Sequence, residues 1–214
     1  MARPISVFLL PFAFATASIA DKADARNRQD MSSPLPIIET APALAPFQHV
    51  RFCLRYPADC KSNPREVDRI ELNAEKSELV KRVNMDVNAA IIPTVKDHGA
   101  EPQEGWTIAP TSGDCNDYAV TKRHQLLQAG LPAKALRLSV VKTASGIGHL
   151  VLVVVTTKGD LVLDNLTEAV RPWQSTDYHW LKIQSASDAR YWFEVKASGP
   201  SVSQSDQGMR LANR

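Results

Sequence analysis

Three apolar runs between positions 135 and 166 constrain the fold of this 214-residue chain more than any other feature: ALRLSVV (135 to 141), HLVLVVVTT (149 to 157) and DLVLDNL (160 to 166). They are rich in β-branched residues and are separated only by KTASGIG and by the turn at Lys158-Gly159. Short connections of that kind predict an antiparallel meander. The middle run is apolar on both faces, which places it centrally in the sheet and covered from both sides. A further hairpin is predicted around HWLKIQS and RYWFEVK.

Helical patterning precedes the strands. DRIEL, 68 to 72, alternates like a short strand, and Asn73 is then placed to cap a helix from about Ala74 to Ile91. Leu79, Val80, Val83, Val87 and Ile91 recur at three- and four-residue steps, a stripe that should bury against a sheet. Residues 94 to 112 read as a surface loop interrupted by Trp106, and a second helix runs from about Cys115 to Ala129. Gly130 is its left-handed cap, Pro132 follows, and Tyr118, Ala119, Leu126 and Leu127 form one apolar face with Lys122, Arg123 and Gln125 between. Helices packed on an antiparallel sheet give an α+β fold.

The length suits one domain with a substantial core. A formal charge of +2 with mixed signs along the chain supplies no strong field for nucleic acid or anionic membrane. Residues 1 to 20, MARPISVFLLPFAFATASIA, have the layout of a secretory signal with cleavage after Ala20. Residues 21 to 46 read as a flexible lead, 47 to 197 as the folded domain and 198 to 214 as a disordered tail.

Export into an oxidising compartment makes the three cysteines informative. Cys53 and Cys60 lie in FCLRYPADC, with Pro57 to turn the chain, so a small disulfide loop closes easily. Structural zinc would need four Cys or His ligands, and His49 alone is nearby. Cys115 is left unpaired at the first turn of a helix, where free N–H groups and the macrodipole stabilise negative charge. The same N–H groups could donate to an oxyanion.

A thiol nucleophile needs a base in reach and a group to orient that base. Of the five histidines, His124 sits on the polar side of the same helix, about 13 Å along its axis from Cys115, and cannot serve. His149 opens the central strand after Gly146 and Gly148, and Asp164 ends the next one in LVLDNL. A turn centred between Lys158 and Gly159 pairs Asp164 with position 153, the same parity as His149. That register still leaves an offset on the order of 13 Å, which a bulge, a twist or another turn must close. Singly, each residue has an ordinary structural reading: core cysteine, structural histidine, turn-forming aspartate. Together, in the order Cys, His, Asp on helix, strand and adjacent strand, they point to a thiol hydrolase.

The chain resembles the bacterial transglutaminase-like cysteine peptidases, whose best-known members are LapG-type periplasmic proteases. The resemblance runs through FCLRYPADC, VNMDVNAAI, Trp106, GDCNDYAVTKR, GHLVLVVVTTKGDLVLDNL, VRPW and WLKIQS, roughly 47 to 195. It implies a papain-like, transglutaminase-type α+β core with Cys115 as nucleophile, His149 as general base and acid, and Asp164 as orienting carboxylate. It also implies a protein substrate, an adhesin in LapG-type members, an inner-membrane receptor as regulator, and a role in biofilm release from the periplasm. LapG-type members bind calcium at an Asp-Cys-Glu-Asp motif. Here the motif reads Asp114-Cys115-Asn116-Asp117, so Asp114, Asn116 and Asp117 are the implied calcium ligands, with one carboxylate fewer, while Asp114 and Asp117 read equally well as N-terminal caps of the helix. The chemistry itself requires no cofactor. Asn84 and Asn88 match the family's paired asparagines, with a supporting role in hydrogen-bonding the loop before Cys115. A transglutaminase or amidase would use the same triad, and a binding module could keep the fold without the chemistry.

Overall fold

The computed structural model describes residues 36–95 and 105–196. In chain order the elements are β1 (Glu39–Ala43), α1 (Phe47–Arg55), a 3-10 turn (Pro57–Cys60), α2 (Ala74–Ala90), β2 (Ile92–Pro93), β3 (Ser112–Gly113) and α3 (Cys115–Gln128). After a second 3-10 turn (Ala133–Ala135) come β4 (Leu136–Lys142), β5 (Gly148–Val154), β6 (Leu161–Leu163), β7 (Arg171–Pro172), a third 3-10 turn (Trp173–Ser175), β8 (His179–Gln184) and β9 (Trp192–Val195). One sheet has the order β1-β9-β8-β4-β5-β6-β7 with every pair antiparallel, and β2 and β3 form a short parallel pair beside it. This is the expected α+β class, with the meander and the last hairpin in place. The segments read as signal and tail lie outside the described residues, as does His98. No helix among the described residues is long and apolar enough to cross a membrane.

Alternation along β5 builds two cores. Leu150, Leu152 and Val154 pack with Val80, Val83 and Val87 of α2 and Tyr118 and Leu126 of α3. Val151 and Val153 face the other way, against Val141, Val162, Trp173, Trp180 and Ile183. Every one of these strand residues is buried, and each buried aliphatic side chain stabilises by roughly 1.5–3 kcal/mol. The central placement read from the sequence follows from that double burial.

Helix ends obey local chemistry. Asn73 Oδ1 accepts Lys76 N–H at 2.8 Å and starts α2, a cap contributing about 1 kcal/mol. Gly130, at φ 85°, ends α3. The expected one-sided face of α3 is not what forms: Lys122 and Arg123 are buried as deeply as Tyr118 and Leu126. Arg123 is admitted because its guanidinium donates to the carbonyls of Leu136 and Asp59.

Two boundaries differ from the reading of the chain. The expected strand at 68–72 reduces to one parallel bridge, Ile70 to Thr156, with backbone bonds to Val155 and Thr157. The sheet also starts earlier than residue 47, because β1 lies inside the segment read as a flexible lead. ETAPA shows no apolar alternation, and Pro42 suits it only to an edge, where a missing N–H is tolerated. Pairing with β9 and an ion pair between Glu39 and Arg137 hold it there.

Cys53 and Cys60 are joined by a disulfide, S–S 2.06 Å, that clips α1 to the following turn. His49 stands beside it, Nε2 3.4 Å from Cys53 Sγ, and is held by Gln184 and Trp192. Burial and the nearby Arg123 lower its pKa to about 4, so the ring is neutral. Replacing both cysteines by serine should cost about 2–3 kcal/mol by loop entropy, a fall in melting temperature of roughly 5–10 °C in thermal denaturation. A melting curve unchanged by the double substitution would contradict this.

Candidate active site

Cys115 begins α3, His149 lies in β5, and Asp164 follows the last residue of β6. The β5–β6 ladder pairs Leu152 with Leu163, Val153 with Val162 and Val154 with Leu161. Continued by one step it sets Asp164 opposite Val151, not Val153, so the offset to His149 is two residues and not the expected four. The turn is the reason. Thr156 Oγ1 accepts from Lys158 N–H at 3.0 Å and donates to Gly159 O at 2.6 Å, and Gly159 takes φ 107°, which moves the centre of the hairpin back along the chain.

His149 Nε2 then lies 2.8 Å from Asp164 Oδ1, both groups buried. Since Nε2 is taken by the carboxylate, Nδ1 is left for Cys115, the ring's other hydrogen-bond partner. Burial disfavours a charged ring, yet the hydrogen bonds to Asp164 and Cys115 outweigh it and raise the pKa of His149 to about 9. Asp164 shows the mirror case. Burial would raise it, but hydrogen bonds from His149, the Tyr178 hydroxyl and Leu166 N–H hold it below the usual carboxylate range. Cys115 is the free cysteine, partly exposed, and opens into a groove of about 460 Å³ lined by Phe47, Trp106, Val140, His149 and Leu150 among others. A thiol, an imidazole that holds its proton near neutral pH, and a buried carboxylate in line can carry nucleophilic attack and proton transfer on an acyl group.

The other described histidines do not reach this point. His124 Nδ1 is 2.9 Å from Asp59 Oδ1, His49 is behind the disulfide, and His179 is exposed at the start of β8.

Asp114, Asn116 and Asp117 are brought together, but as a helix cap. Asp117 is fully buried, its Oδ1 accepting Thr107 N–H at 2.8 Å and its Oδ2 accepting Asp114 N–H at 2.9 Å. Asp114 Oδ1 accepts both Asn116 N–H and Asn116 Nδ2. Calcium takes six to eight oxygens. Among the described residues the one group of three or more His, Cys, Asp or Glu side chains close enough to share an ion is His49, Cys53 and Cys60, and two of those are sulfurs already bonded to each other. The carboxylate of Asp117 is thus engaged by two backbone N–H groups and that of Asp114 by Asn116.

Gly113 shows how tightly that cap is built. A Cβ there would come 2.6 Å from Asp117 Oδ2 and 2.8 Å from Asp117 Cβ. Asp117 cannot retreat without losing both backbone bonds, so Gly113→Ala should displace the start of α3 and cost about 1–3 kcal/mol. The expected readout is a lower melting temperature together with slower alkylation of Cys115 by iodoacetamide. Wild-type values for both would show that the loop adapts.

Asn84 and Asn88 do support the site, from the other side than expected. Among the described residues their bonds go to the segment at Asp164 and not to the loop before Cys115. Asn84 Oδ1 accepts Asp164 N–H at 3.1 Å and its Nδ2 donates to the carbonyls of Thr167 and Glu168. Asn88 Nδ2 donates to the carbonyls of Asp164 and Thr167. The i,i+4 spacing was readable; which loop it faces depends on how α2 crosses the sheet.

Two further groups escaped the sequence reading. Tyr178 donates to Asp164 Oδ2, and its ring lies 5.7 Å from that of His149 at 62°. Lys122, read as a polar spacer, is fully buried with Nζ 5.9 Å from the Tyr118 ring centre. Burial lowers its pKa to about 7 against the pull of Asp164. Tyr178 left a faint signal: it stands just before β8, two positions from Trp180, and packs against the same core as Trp180.

Residues 39–199 match the family described as bacterial transglutaminase-like cysteine proteinase. Legionella pneumophila LapG in a calcium-bound structure is similar at 22% identity, covering 60% of this chain and 75% of that one, with a TM-score of 0.48. An EGTA-treated structure of the same protein gives 20% identity, 58% and 69% coverage and a TM-score of 0.47. No curated protein matches the sequence.

Proposed function

The chain belongs to the bacterial transglutaminase-like cysteine proteinases, a family of cysteine peptidases, and from that premise we propose that Cys115, His149 and Asp164 form the triad that hydrolyses a peptide bond in another protein. The observation that carries the proposal is the line Cys115–His149–Asp164, with the thiol at the groove and the carboxylate buried behind the ring.

In this reading the Cys115 proton passes to His149, the sulfur attacks the scissile carbonyl carbon as thiolate, and the carbonyl electron pair moves onto oxygen. As the oxyanion collapses, the C–N bond breaks and the imidazolium of His149 gives its proton to the leaving amine. His149 then takes a proton from water, the hydroxide attacks the thioester, and Cys115 leaves as thiolate. Asp164 keeps the imidazole oriented and stabilises its charge throughout. Every step is carried by protein groups. Calcium, which one Legionella structure contains, is assigned no step here.

The finer reading rests on the resemblance and on the layout of residues 1 to 20. The protein acts after export, in the periplasm or at the cell surface, on an adhesin-type protein, with an inner-membrane receptor as its regulator. Its catalytic domain ends near residue 197, before a tail at 198–214.

Two measurements test the proposal. Cys115 should react with iodoacetamide much faster than a free thiol near neutral pH, and His149→Ala should abolish the acceleration; an ordinary rate would favour a binding module of the same fold. Mass spectrometry of products from a candidate exported protein should show hydrolysed ends. Isopeptide cross-links would mean that an amine, not water, resolves the thioester.

A further inference from the structure

We propose that Tyr178 is a positioning residue of the site, setting through its hydroxyl both the orientation and the basicity of Asp164 and so the acid strength of His149. The inference rests on the triad proposed above and adds a fourth group from a different part of the sheet.

The topology explains how Tyr178 arrives there. Val141 of β4 pairs with His149 on one side and with Trp180 of β8 on the other, so these three positions form a row across three strands. Tyr178 stands just before β8, two residues from Trp180, and its ring lies against the His149 imidazole at 5.7 Å. The ring also packs on the core formed by Val141, Val151 and Trp180. Its place is therefore held by packing independent of the hydroxyl.

What the hydroxyl does follows from the carboxylate it meets. Asp164 Oδ1 is shared by His149 Nε2 at 2.8 Å and Leu166 N–H at 3.0 Å, and Tyr178 donates to Oδ2. The terminal torsion of an aspartate is broad and roughly two-fold. A donor on Oδ2 sets that torsion so that Oδ1 faces the imidazole. It also draws electron density away from Oδ1, and hydrogen bonding to the charged form favours ionisation. Without it the carboxylate would grip the imidazolium proton harder, leaving His149 a poorer general acid. The charged and titratable groups facing this cluster are Cys115 and Lys122 from α3, Arg171 from β7 and Asp177 beside Tyr178 itself. None of them is altered by removing the hydroxyl.

Tyr178→Phe keeps the ring and deletes the donor. The test is an NMR titration of the His149 ring in the full chain, with the signal assigned by its loss in His149→Gln. In the wild type it should titrate at about 9, and in Tyr178→Phe at higher pH, because Asp164 becomes the stronger base. Iodoacetamide alkylation of Cys115 should show its alkaline inflection moving the same way, with a rate change on the order of 10-fold between the two proteins. Incorporating 3,5-difluorotyrosine at position 178 makes a stronger donor of nearly the same shape and should move the inflection down. Opposite shifts from the two replacements would support the role. A His149 titration indifferent to both, with only thermal stability altered, would overturn it and leave Tyr178 a packing residue. If Tyr178→Phe does not fold, the fluorinated protein still decides. A Cys115 that alkylates at the rate of a free thiol while His149 responds to Tyr178 would sink the hydrolase reading and leave this one standing.

Discussion

Cys115→Ala is expected to abolish peptide hydrolysis, by on the order of 10⁴-fold or more, while the melting temperature stays close to that of the wild type. The two halves of the expectation have separate causes. In the proposed mechanism the thiol is the group that forms a bond to the acyl carbon, and no described neighbour lining the groove is a second thiol. The side chain is only partly buried, on the edge of the core, so its loss removes little packed surface. The cap that starts α3 is made by Asp114 and Asp117 and does not involve the sulfur. Activity should be read on an exported protein substrate and folding by thermal denaturation. Residual activity within tenfold of wild type would mean that the nucleophile lies elsewhere.

Asp164→Asn is expected to lower the rate of hydrolysis by on the order of 10³- to 10⁴-fold and to narrow its pH range from the alkaline side. The amide is nearly isosteric, so the Leu166 N–H can still find an oxygen. What is lost is the negative charge that offsets burial of the imidazolium. The sign follows directly. His149 is raised to about 9 because hydrogen bonds to Asp164 and Cys115 overcome burial; with a neutral amide in place of the carboxylate, burial regains its weight and the proton leaves at lower pH. The alkaline limb of activity should therefore move down from about 9. An unchanged limb would show that another group holds the His149 proton. In the wild type this raised pKa also contributes stability that is fully present below pH 6.5 and lost as pH climbs through about 9. Lys122, lowered to about 7, works in the opposite sense between 7 and 10.5. The pH dependence is for that reason better read from the His149 titration than from melting curves.

Much of the scaffold was legible because it depends on neighbours along the chain. The β-branched runs became β4, β5 and β6, Asn73 capped α2, Gly130 ended α3, and the spacing of Val80, Val83 and Val87 placed the buried stripe. The disulfide was legible from the short loop between its cysteines. β1 was not, since ETAPA carries no alternation and forms only because β9 and Arg137 meet it. Lys122 was not, since a lysine between apolar positions gives no sign that both sides of its helix will be covered.

The chain by itself determined the antiparallel meander of β4, β5 and β6, the last hairpin, the two long helices and the three chemical groups at the ends of α3, β5 and β6, because each follows from local pattern. Only the tertiary structure decided how those groups meet. A Thr156-held turn shifted the β5–β6 register by two residues and brought Asp164 to His149, the crossing of α2 turned Asn84 and Asn88 onto the Asp164 segment, and the row across β4, β5 and β8 delivered Tyr178. These depend on side-chain directions between segments far apart in the chain, where a two-residue step is about 7 Å and separates contact from none.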